Sequence, residues 1–485
     1  MSLSRNATYN IIGAALPSLL TLVTVPLYLH IVGVERYGVL ALCWVFLNYS
    51  SFMDFGLGLA VAHRIAKSRP GEDEAAGHAF WTAVWLSLAA GAVATAAVYA
   101  AGTFYFGSMA KVDPTFRGEV AAAVPVMAAM VPAVMLGGVL GGVLQGRERF
   151  LAFNAAGLLS NTLLAVLPLT LAVLWSPALP VLVAGALAAR LAPIPWLYHL
   201  CRKAVPLHGV RAPSRAAARG LLGFGGWVSL TTIANTVIGT ADRLAIGGAI
   251  GAAAVSVYSI SLNVVSRVML IPHSLAPALF PRLSALAKRD RDVLVLHGIQ
   301  TVAAIVTPVL IGVVILVEPF FTLWIGRRLA VEAVPLAYLF AVGFWFYCVG
   351  YLAMSLLQAS GRPDLVSKVI AAEVVPFIAG LIVALSLFGL PGAAMVYSLR
   401  AIVEALALLL LARVPWPALR SLLPPLALTL AAVAVAHESG GLTEYAVLAL
   451  LLAAALAWSW IHAPQVVRDR VGRVAPFLTG LRAGR

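Results

Sequence analysis

Glu119 to Leu144 reads EVAAAVPVMAAMVPAVMLGGVLGGVL, and this stretch indicates how the whole chain must fold. Its charged residue stands at the start, and the rest is apolar for longer than the roughly 20 residues that cross the hydrocarbon layer of a bilayer. A backbone exposed to lipid has to satisfy its own hydrogen bonds, and this stretch is too long for a barrel strand. We therefore predict a membrane-spanning helix here.

Stretches of the same kind fill nearly the whole chain. The 485 residues are 62% hydrophobic and 11% charged, with a mean hydropathy of +0.97. Soluble proteins carry about 25% charged residues, so this composition indicates an all-α polytopic membrane protein. We predict fourteen spans, with the approximate limits 10–32, 38–62, 77–106, 119–144, 153–175, 179–200, 221–241, 248–276, 293–317, 333–358, 365–388, 393–412, 421–437 and 445–463.

The basic residues set the orientation of these spans. With a cytoplasmic N-terminus, the cytoplasmic loops and tails hold 24 of the 33 Lys and Arg, the opposite side holds six, and three lie inside spans. Such a bias follows the positive-inside rule, so we expect both termini on the cytoplasmic side of the membrane. The net charge of +14 thus serves topology, and we expect no nucleic-acid partner.

The two halves of the chain resemble one another. Leu144 to Arg147 leaves the fourth predicted span as Leu357 to Arg362 leaves the tenth, at an offset of about 213 residues. Six spans per half give both halves one orientation, and hence a pseudo-two-fold axis along the membrane normal. We predict two six-helix lobes, followed by two extra helices and a basic cytoplasmic tail. The expected domains are 1–205, 206–415 and 416–485.

Six residues of the types Asp, Glu, Lys and Arg lie well inside the predicted spans, away from their ends. An ionisable group at the bilayer centre costs about 2.5–3.5 kcal/mol on insertion scales, and usually faces a partner or a wet cavity. Under the repeat, Asp54 is equivalent to Arg267, and Arg190 to Arg400, which suggests a central cavity lined from both lobes. The six are Asp54, Arg190, Arg267, Glu373, Arg400 and Glu404.

Three arginines and three acids suit an anionic ligand with compensating carboxylates, because the planar guanidinium donates two parallel hydrogen bonds to a phosphate. Arg267, Arg190 and Arg400 are the candidate substrate-binding residues. A plainer reading stays open, since Arg400 and Glu404 are four residues apart on one helix and can neutralise each other. Asp54 can likewise be tied to Arg64 at the end of its own helix.

Motifs of nucleotide-dependent or metal-dependent chemistry are missing from the sequence. It contains no Gly-x-x-x-x-Gly-Lys-Ser/Thr loop, no His-Glu-x-x-His and no Gly-x-Ser-x-Gly. Cys43, Cys201 and Cys348 show no paired spacing for a disulfide framework or a metal site. We therefore expect no catalytic residues, no metal and no cofactor.

Several loosely spaced motifs carry a family resemblance over about residues 5–415. Pro26-Leu27-Tyr28 is followed by the sequence GVERYG from Gly33, and then by DFGLG from Asp54. Later stretches are Ala241 to Leu244, Ala278 to Ser284, Leu323 to Gly326 and Gly361 to Pro363. In their order and spacing they resemble the bacterial flippases for O-antigen or exopolysaccharide repeat units. Those proteins belong to the multidrug/oligosaccharidyl-lipid/polysaccharide exporter superfamily.

The resemblance implies a function and a mechanism. In this family the cargo is an oligosaccharide on undecaprenyl pyrophosphate, which alternating access moves from the cytoplasmic to the periplasmic leaflet. Cationic cavity residues hold the pyrophosphate, a role that falls here on Arg267, then on Arg190 and Arg400. Asp54, Glu373 and Glu404 are the ion-coupling or charge-balancing candidates. Membrane lipids, a polysaccharide polymerase and glycosyltransferases are the expected partners.

Other functions stay open at this point. A cation-coupled multidrug antiporter of the same superfamily would favour carboxylates and aromatics in its cavity, whereas here arginines equal acids in number. A flippase for the peptidoglycan precursor shares the fold and the cargo chemistry. A membrane glycosyltransferase usually needs a large catalytic loop, and a scaffold would not explain charges repeated in two lobes.

Overall fold

The computed structural model describes residues 20–53, 56–67, 73–205, 213–275, 288–438 and 441–462. These residues form α-helices and short 3-10 or π turns, and no β-strand occurs among them. The predicted all-α class is therefore confirmed. The chain divides into two compact units, Met1–Ser256 and Val257–Arg485. The predicted lobe boundaries at 205/206 and 415/416 rest on the sequence repeat and stay a prediction.

The first helix described in this unit is apolar. A π-helical turn at Tyr105–Met109 and a 3-10 turn at Pro114–Phe116 join α4 to α5. The helices are α1 Leu20–Ile31, α2 Val34–Met53, α3 Leu57–Lys67, α4 Asp73–Phe104, α5 Arg117–Gly146, α6 Phe150–Leu174, α7 Leu179–Leu191, α8 Ile194–Ala204 and α9 Arg215–Ala249.

Helix α10, Ala252–Val265, starts at the end of the first unit and continues into the second. A 3-10 turn at Ser266–Met269 and helical residues 270–275, here α11, extend it. The remaining helices are α12 Lys288–Ile325, α13 Arg327–Ala359, α14 Pro363–Leu411, α15 Trp416–Arg420, α16 Leu423–Glu438 and α17 Leu442–His462.

Ten helical stretches in the described part of the chain are long and apolar enough to cross a membrane. The protein is therefore an integral membrane protein, as its composition indicated. Each predicted span overlaps a described helix, but the number of fourteen stays a prediction.

A glycine and a proline interrupt two of the predicted spans, and a second glycine divides a long helix between two others. The span predicted at 38–62 is divided between α2 and α3, and Gly56 beside the division has a φ of +61°, a left-handed conformation that glycine adopts without strain. Pro193 separates α7 from α8 within the span predicted at 179–200. Gly389, with a φ of +62°, divides α14 into two helices at the boundary predicted between the eleventh and twelfth spans.

Helix α5 is the centre of the first unit and packs on α3, α4, α7 and α8. Its contact with α3 is made by main chain, because a Cβ on Gly142 would overlap the main chain of Gly58, and a Cβ on Gly58 would lie 2.8 Å from the carbonyl oxygen of Gly138. Small residues let two helix backbones approach closely in a membrane. Helix α9 also belongs to this unit and packs on α2, α3 and α4.

Helix α13 is the centre of the second unit and packs on α12 and α14. The indole Nε1 of Trp345, which is buried, donates a hydrogen bond of 2.9 Å to Thr307 Oγ1 on α12. Ser261 Oγ on α10 donates one of 2.9 Å to the carbonyl oxygen of Ala333. These polar links satisfy groups that lipid or an apolar core would leave unpaired.

Candidate functional site

Arg190 occupies the last turn of α7, where Pro193 soon ends the helix. Its Nη1 donates a hydrogen bond of 3.1 Å to Ser160 Oγ on α6. Its Nε is buried and has no hydrogen-bond partner among the described residues. Burying a guanidinium N–H without a hydrogen-bond partner costs free energy. This side chain can therefore donate a further hydrogen bond to a ligand.

A cavity of about 280 Å³ adjoins Arg190 inside the first unit, among α5, α6, α7 and α8. Ser160 and Asn161 supply polar groups, while most of the wall is apolar or glycine. None of the described residues that line it carries a carboxylate. An anion is therefore the charged ligand that this wall favours. The lining residues are Ala133, Val134, Gly137, Gly138, Gly141, Phe153, Ala156, Gly157, Ser160, Asn161, Arg190, Pro193, Ile194 and Leu197.

Two glycines in the wall keep the cavity open. A Cβ placed on Gly137 or on Gly157 would meet nothing within 4 Å. A Cβ on Gly141 would instead touch the ring of Phe153 at 3.0 Å. Open space thus borders these glycines of α5 and α6 in the wall near Arg190.

Arg400 lies between two carboxylates in the second unit. Its Nη1 donates to Glu404 Oε2 at 2.8 Å and to Glu373 Oε2 at 3.3 Å. All three side chains are buried, each at most 10% exposed. Arg400 and Glu404 thus neutralise each other, as their four-residue spacing on one helix suggested. The kink at Gly389 folds the first half of α14 back, so that Glu373 reaches the same guanidinium.

Aromatic rings surround this charge cluster. The guanidinium carbon of Arg400 lies 5.5 Å from the ring centroid of Tyr397, 5.7 Å from that of Phe377 and 5.8 Å from that of Tyr347. These distances fall within the range of cation–π attraction. Sequence reasoning missed the three rings, since nothing in the spacing of α13 and α14 marks them.

Close contact between α13 and the second half of α14 holds the cluster in place. A Cβ on Gly350 would lie 2.8 Å from the Cβ of Ala405, and one on Gly343 would lie 2.6 Å from Ser398 Oγ. Ser398 Oγ donates a hydrogen bond of 2.8 Å to the carbonyl oxygen of Leu339. Arg400 and Glu404 follow on the same helix and are therefore fixed relative to α13.

Arg267 stands in the 3-10 turn that follows α10. This turn packs on α12 and α13, and the thiol of Cys348 on α13 lies 3.6 Å from Met269 Sδ in the same turn. The side chain of Arg267 is exposed. The structure thus presents Arg267 on a surface of the second unit, while Arg400 is enclosed. Asp54, the predicted equivalent of Arg267, lies outside the described residues.

A third charged pair, which the sequence did not reveal, joins α2 to α5. Arg36 Nη2 and Nε donate to Glu119 Oε1 and Oε2 at 2.6 and 2.8 Å, and the guanidinium lies 4.5 Å above the ring of Phe116. Glu119 Oε2 also accepts a hydrogen bond of 3.0 Å from the main-chain N–H of Leu179, where α7 begins. The pair therefore connects three helices of the first unit.

Groups suited to a metal are missing from the described residues, because no cluster of three or more His, Cys, Asp or Glu side chains occurs there. Cys43, Cys201 and Cys348 are buried free thiols.

Comparison with known proteins identifies the family of this chain. The sequence profile of the family described as "Polysaccharide biosynthesis protein" matches residues 30–335, which is more than half of the chain. The chain belongs to this polysaccharide biosynthesis family. A relative from Shigella flexneri, named "Putative O-antigen transporter", is 26% identical over 415 residues, which cover 84% of this chain and 97% of the relative. The family that the motifs predicted is confirmed.

Solved structures show the same fold. "Lipid II flippase MurJ, inward closed conformation" matches with a TM-score of 0.74 and 12% identity, over 95% of this chain and 99% of that one. An inward-facing multidrug resistance transporter of the MATE family, in the MOP superfamily, matches with a TM-score of 0.69 and 16% identity, over 83% of this chain and 97% of that one. At these identities the likeness concerns the fold alone.

Proposed function

We propose that this protein moves an oligosaccharide linked to undecaprenyl pyrophosphate from the cytoplasmic to the periplasmic leaflet of the bacterial inner membrane, for surface polysaccharide synthesis. Membership of a polysaccharide biosynthesis family and the relative named "Putative O-antigen transporter" support this cargo. The observation that carries the proposal is the cavity at Arg190, where a guanidinium in a membrane span faces open space whose described lining residues include no carboxylate.

A pyrophosphate is the part of such a cargo that an arginine recognises. Arg190 and Arg267 are the proposed phosphate contacts, since one faces a cavity and the other is exposed. A guanidinium can donate to two phosphate oxygens at once, which a multiply charged diphosphate rewards. Arg400 was also predicted to bind substrate, and that role stays a proposal. Because both carboxylates engage its guanidinium, we rank Arg400 behind Arg190.

The proposed mechanism is alternating access by two six-helix lobes, 1–205 and 206–415, with both termini in the cytoplasm. Glu373 and Glu404 are proposed to balance the charge of Arg400, and either acid, with Asp54, remains a candidate for coupling transport to an ion gradient. A polymerase and glycosyltransferases are the proposed partners of this step, because they would consume and supply its cargo.

The test is a deletion of the gene in its host, complemented by wild type, Arg267→Ala and Arg267→Lys. We expect the deletion to lose surface polysaccharide and to accumulate its undecaprenyl-linked precursor. Wild type should restore export, Arg267→Ala should fail at normal membrane levels, and Arg267→Lys should restore export in part. Unchanged polysaccharide in the deletion strain would contradict the proposal.

A multidrug antiporter is the second candidate function. The pair Glu373 and Glu404 among three aromatic rings is the observation that favours it, since carboxylates and aromatic faces bind organic cations. Arg400 occupies that place with its own cation, which weakens this reading. A deletion that lowers drug tolerance and leaves the glycan unchanged would select the antiporter.

A further inference from the structure

A long apolar groove runs along α12 in the second unit. Its volume is about 590 Å³, and every described residue that lines it is apolar. Nine lining residues belong to α12 and one, Val264, to α10. The lining residues are Val264, Pro308, Val309, Gly312, Val313, Leu316, Val317, Pro319, Phe320 and Leu323.

The spacing of these residues gives the groove its length. From Pro308 to Leu323 they recur every three or four residues, so they form one stripe along the helix. At about 1.5 Å per residue the stripe is roughly 22 Å long, most of the roughly 30 Å thickness of the hydrocarbon layer. A cavity of this shape fits a single extended hydrocarbon chain.

Features of α12 keep the groove open. Pro308 and Pro319 lie inside the helix, and a proline there removes a main-chain hydrogen bond and bends the axis. A Cβ on Gly312 would meet nothing within 4 Å, so this glycine leaves a hollow in the floor. Other faces of α12 are covered by α13, α16 and α17.

A cation stands beside this groove. Arg267 follows Val264 by three residues, about one turn further along the same helical segment. The 3-10 turn that carries Arg267 also packs on α12. An apolar trough with a guanidinium about one turn from its wall matches a single-chain lipid that ends in a phosphate.

We propose that the groove on α12 binds the polyisoprenoid chain of the lipid carrier and that Arg267 contacts the carrier phosphate. This inference rests on the proposed function and adds a second binding region to it. Only the glycan and the phosphate of the cargo need shelter from hydrocarbon, because the polyisoprenoid chain is itself soluble in the bilayer. An apolar groove can therefore hold the isoprenoid chain while the polar head crosses elsewhere in the protein.

Binding of undecaprenyl phosphate to the purified full-length chain tests this inference, with native mass spectrometry as the measurement. Gly312→Trp fills the groove, and Ile382→Trp adds the same ring at an exposed position on α14, 63% accessible, that does not line it. We expect Gly312→Trp to weaken binding about tenfold, since the added ring takes the place of the chain. Ile382→Trp should bind within about twofold of wild type. Gly312→Leu, a milder change, replaces the tryptophan variant if that one does not fold.

Phosphatidylglycerol is the competitor, because it has a phosphate in its headgroup but two acyl chains in place of a single isoprenoid chain. We expect it to displace undecaprenyl phosphate poorly at equal concentration. Equal binding by wild type and by the folded Gly312 variant would overturn the inference, and so would equally effective displacement by phosphatidylglycerol. Neither result bears on the flippase proposal, which the deletion strain tests separately through its surface polysaccharide.

Discussion

Arg190 and Arg400 are the same residue type in two membrane-embedded settings, and their surroundings differ in charge. Arg400 lies between Glu404 and Glu373 and is enclosed by aromatic rings. Arg190 has a serine hydroxyl as its hydrogen-bond partner and a cavity of about 280 Å³ next to it. An arginine in a span therefore does not reveal its role by itself. The neighbouring acids separate a residue that stabilises the fold from one that can bind a ligand.

Arg400→Ala should have the largest effect on stability. Removing the cation leaves two buried carboxylates facing each other, and breaking a buried ion pair costs about 3–5 kcal/mol. We expect a much lower membrane level and a lower unfolding temperature in detergent. The double variant Arg400→Met with Glu404→Gln should recover much of the loss, because it removes opposite charges together. An Arg400→Ala protein as stable as wild type would contradict the structural role.

Gly142→Ala and Gly157→Ala form a matched pair that separates packed wall from open cavity. A Cβ on Gly142 would overlap the main chain of Gly58, whereas a Cβ on Gly157 would enter empty space. We expect Gly142→Ala to cost about 1–3 kcal/mol, in the range of overpacking. The free energy of unfolding of Gly157→Ala should lie within about 0.5 kcal/mol of the wild-type value. Thermal unfolding of the two purified variants makes the comparison, and equal losses would mean that the cavity is closed.

Arg36→Ala shows how much stability is lost when a partly solvent-exposed ion pair is broken. The side chains of Arg36 and Glu119 are 21% and 24% exposed, against 8% and 6% for Arg400 and Glu404. Partly solvated ion pairs contribute about 1 kcal/mol or less. We expect a small drop in unfolding temperature, well below that of Arg400→Ala. A loss as large as that of Arg400→Ala would show that exposure does not rank these pairs.

Ser160→Ala should have the smallest effect. It removes the hydroxyl that accepts from Arg190 and leaves the guanidinium in the cavity. A single hydrogen bond contributes about 1 kcal/mol, so we expect export to fall by about fivefold or less at an unchanged protein level. Complementation of the deletion strain measures this, and an export loss that matched Arg190→Ala would show that the serine, not the charge, is what the cargo needs.

The sequence predicted the helical class and the approximate place of each described span, because an apolar run of about 20 residues has few other solutions in lipid. It missed the breaks at Gly56 and Pro193, since hydropathy averages over a window and one glycine or proline hardly changes the mean. The Arg400–Glu404 pair could be predicted from its spacing on one helix. Glu373 could not be joined to it, because that contact depends on the kink at Gly389.

The cavity and the groove were beyond sequence reasoning for a different reason. Ser160, Asn161 and Gly157 are ordinary residues for a membrane helix, and only the packing of four helices turns them toward Arg190. The apolar residues of the stripe on α12 are likewise ordinary for any membrane helix. Concave shape arises between elements or from bends, and a one-dimensional pattern does not encode it directly.

Export by Arg190→Ala in the deletion strain, normalised to membrane level, tests the central claim most directly. Arg190→Lys tests charge without the planar fork, and Lys203→Ala, an exposed cation at the end of α8, is the control. We expect Arg190→Ala to lose at least about tenfold in export while undecaprenyl-linked precursor accumulates, with Lys203→Ala unchanged. Normal export by Arg190→Ala at a normal protein level would contradict a phosphate contact at this cavity.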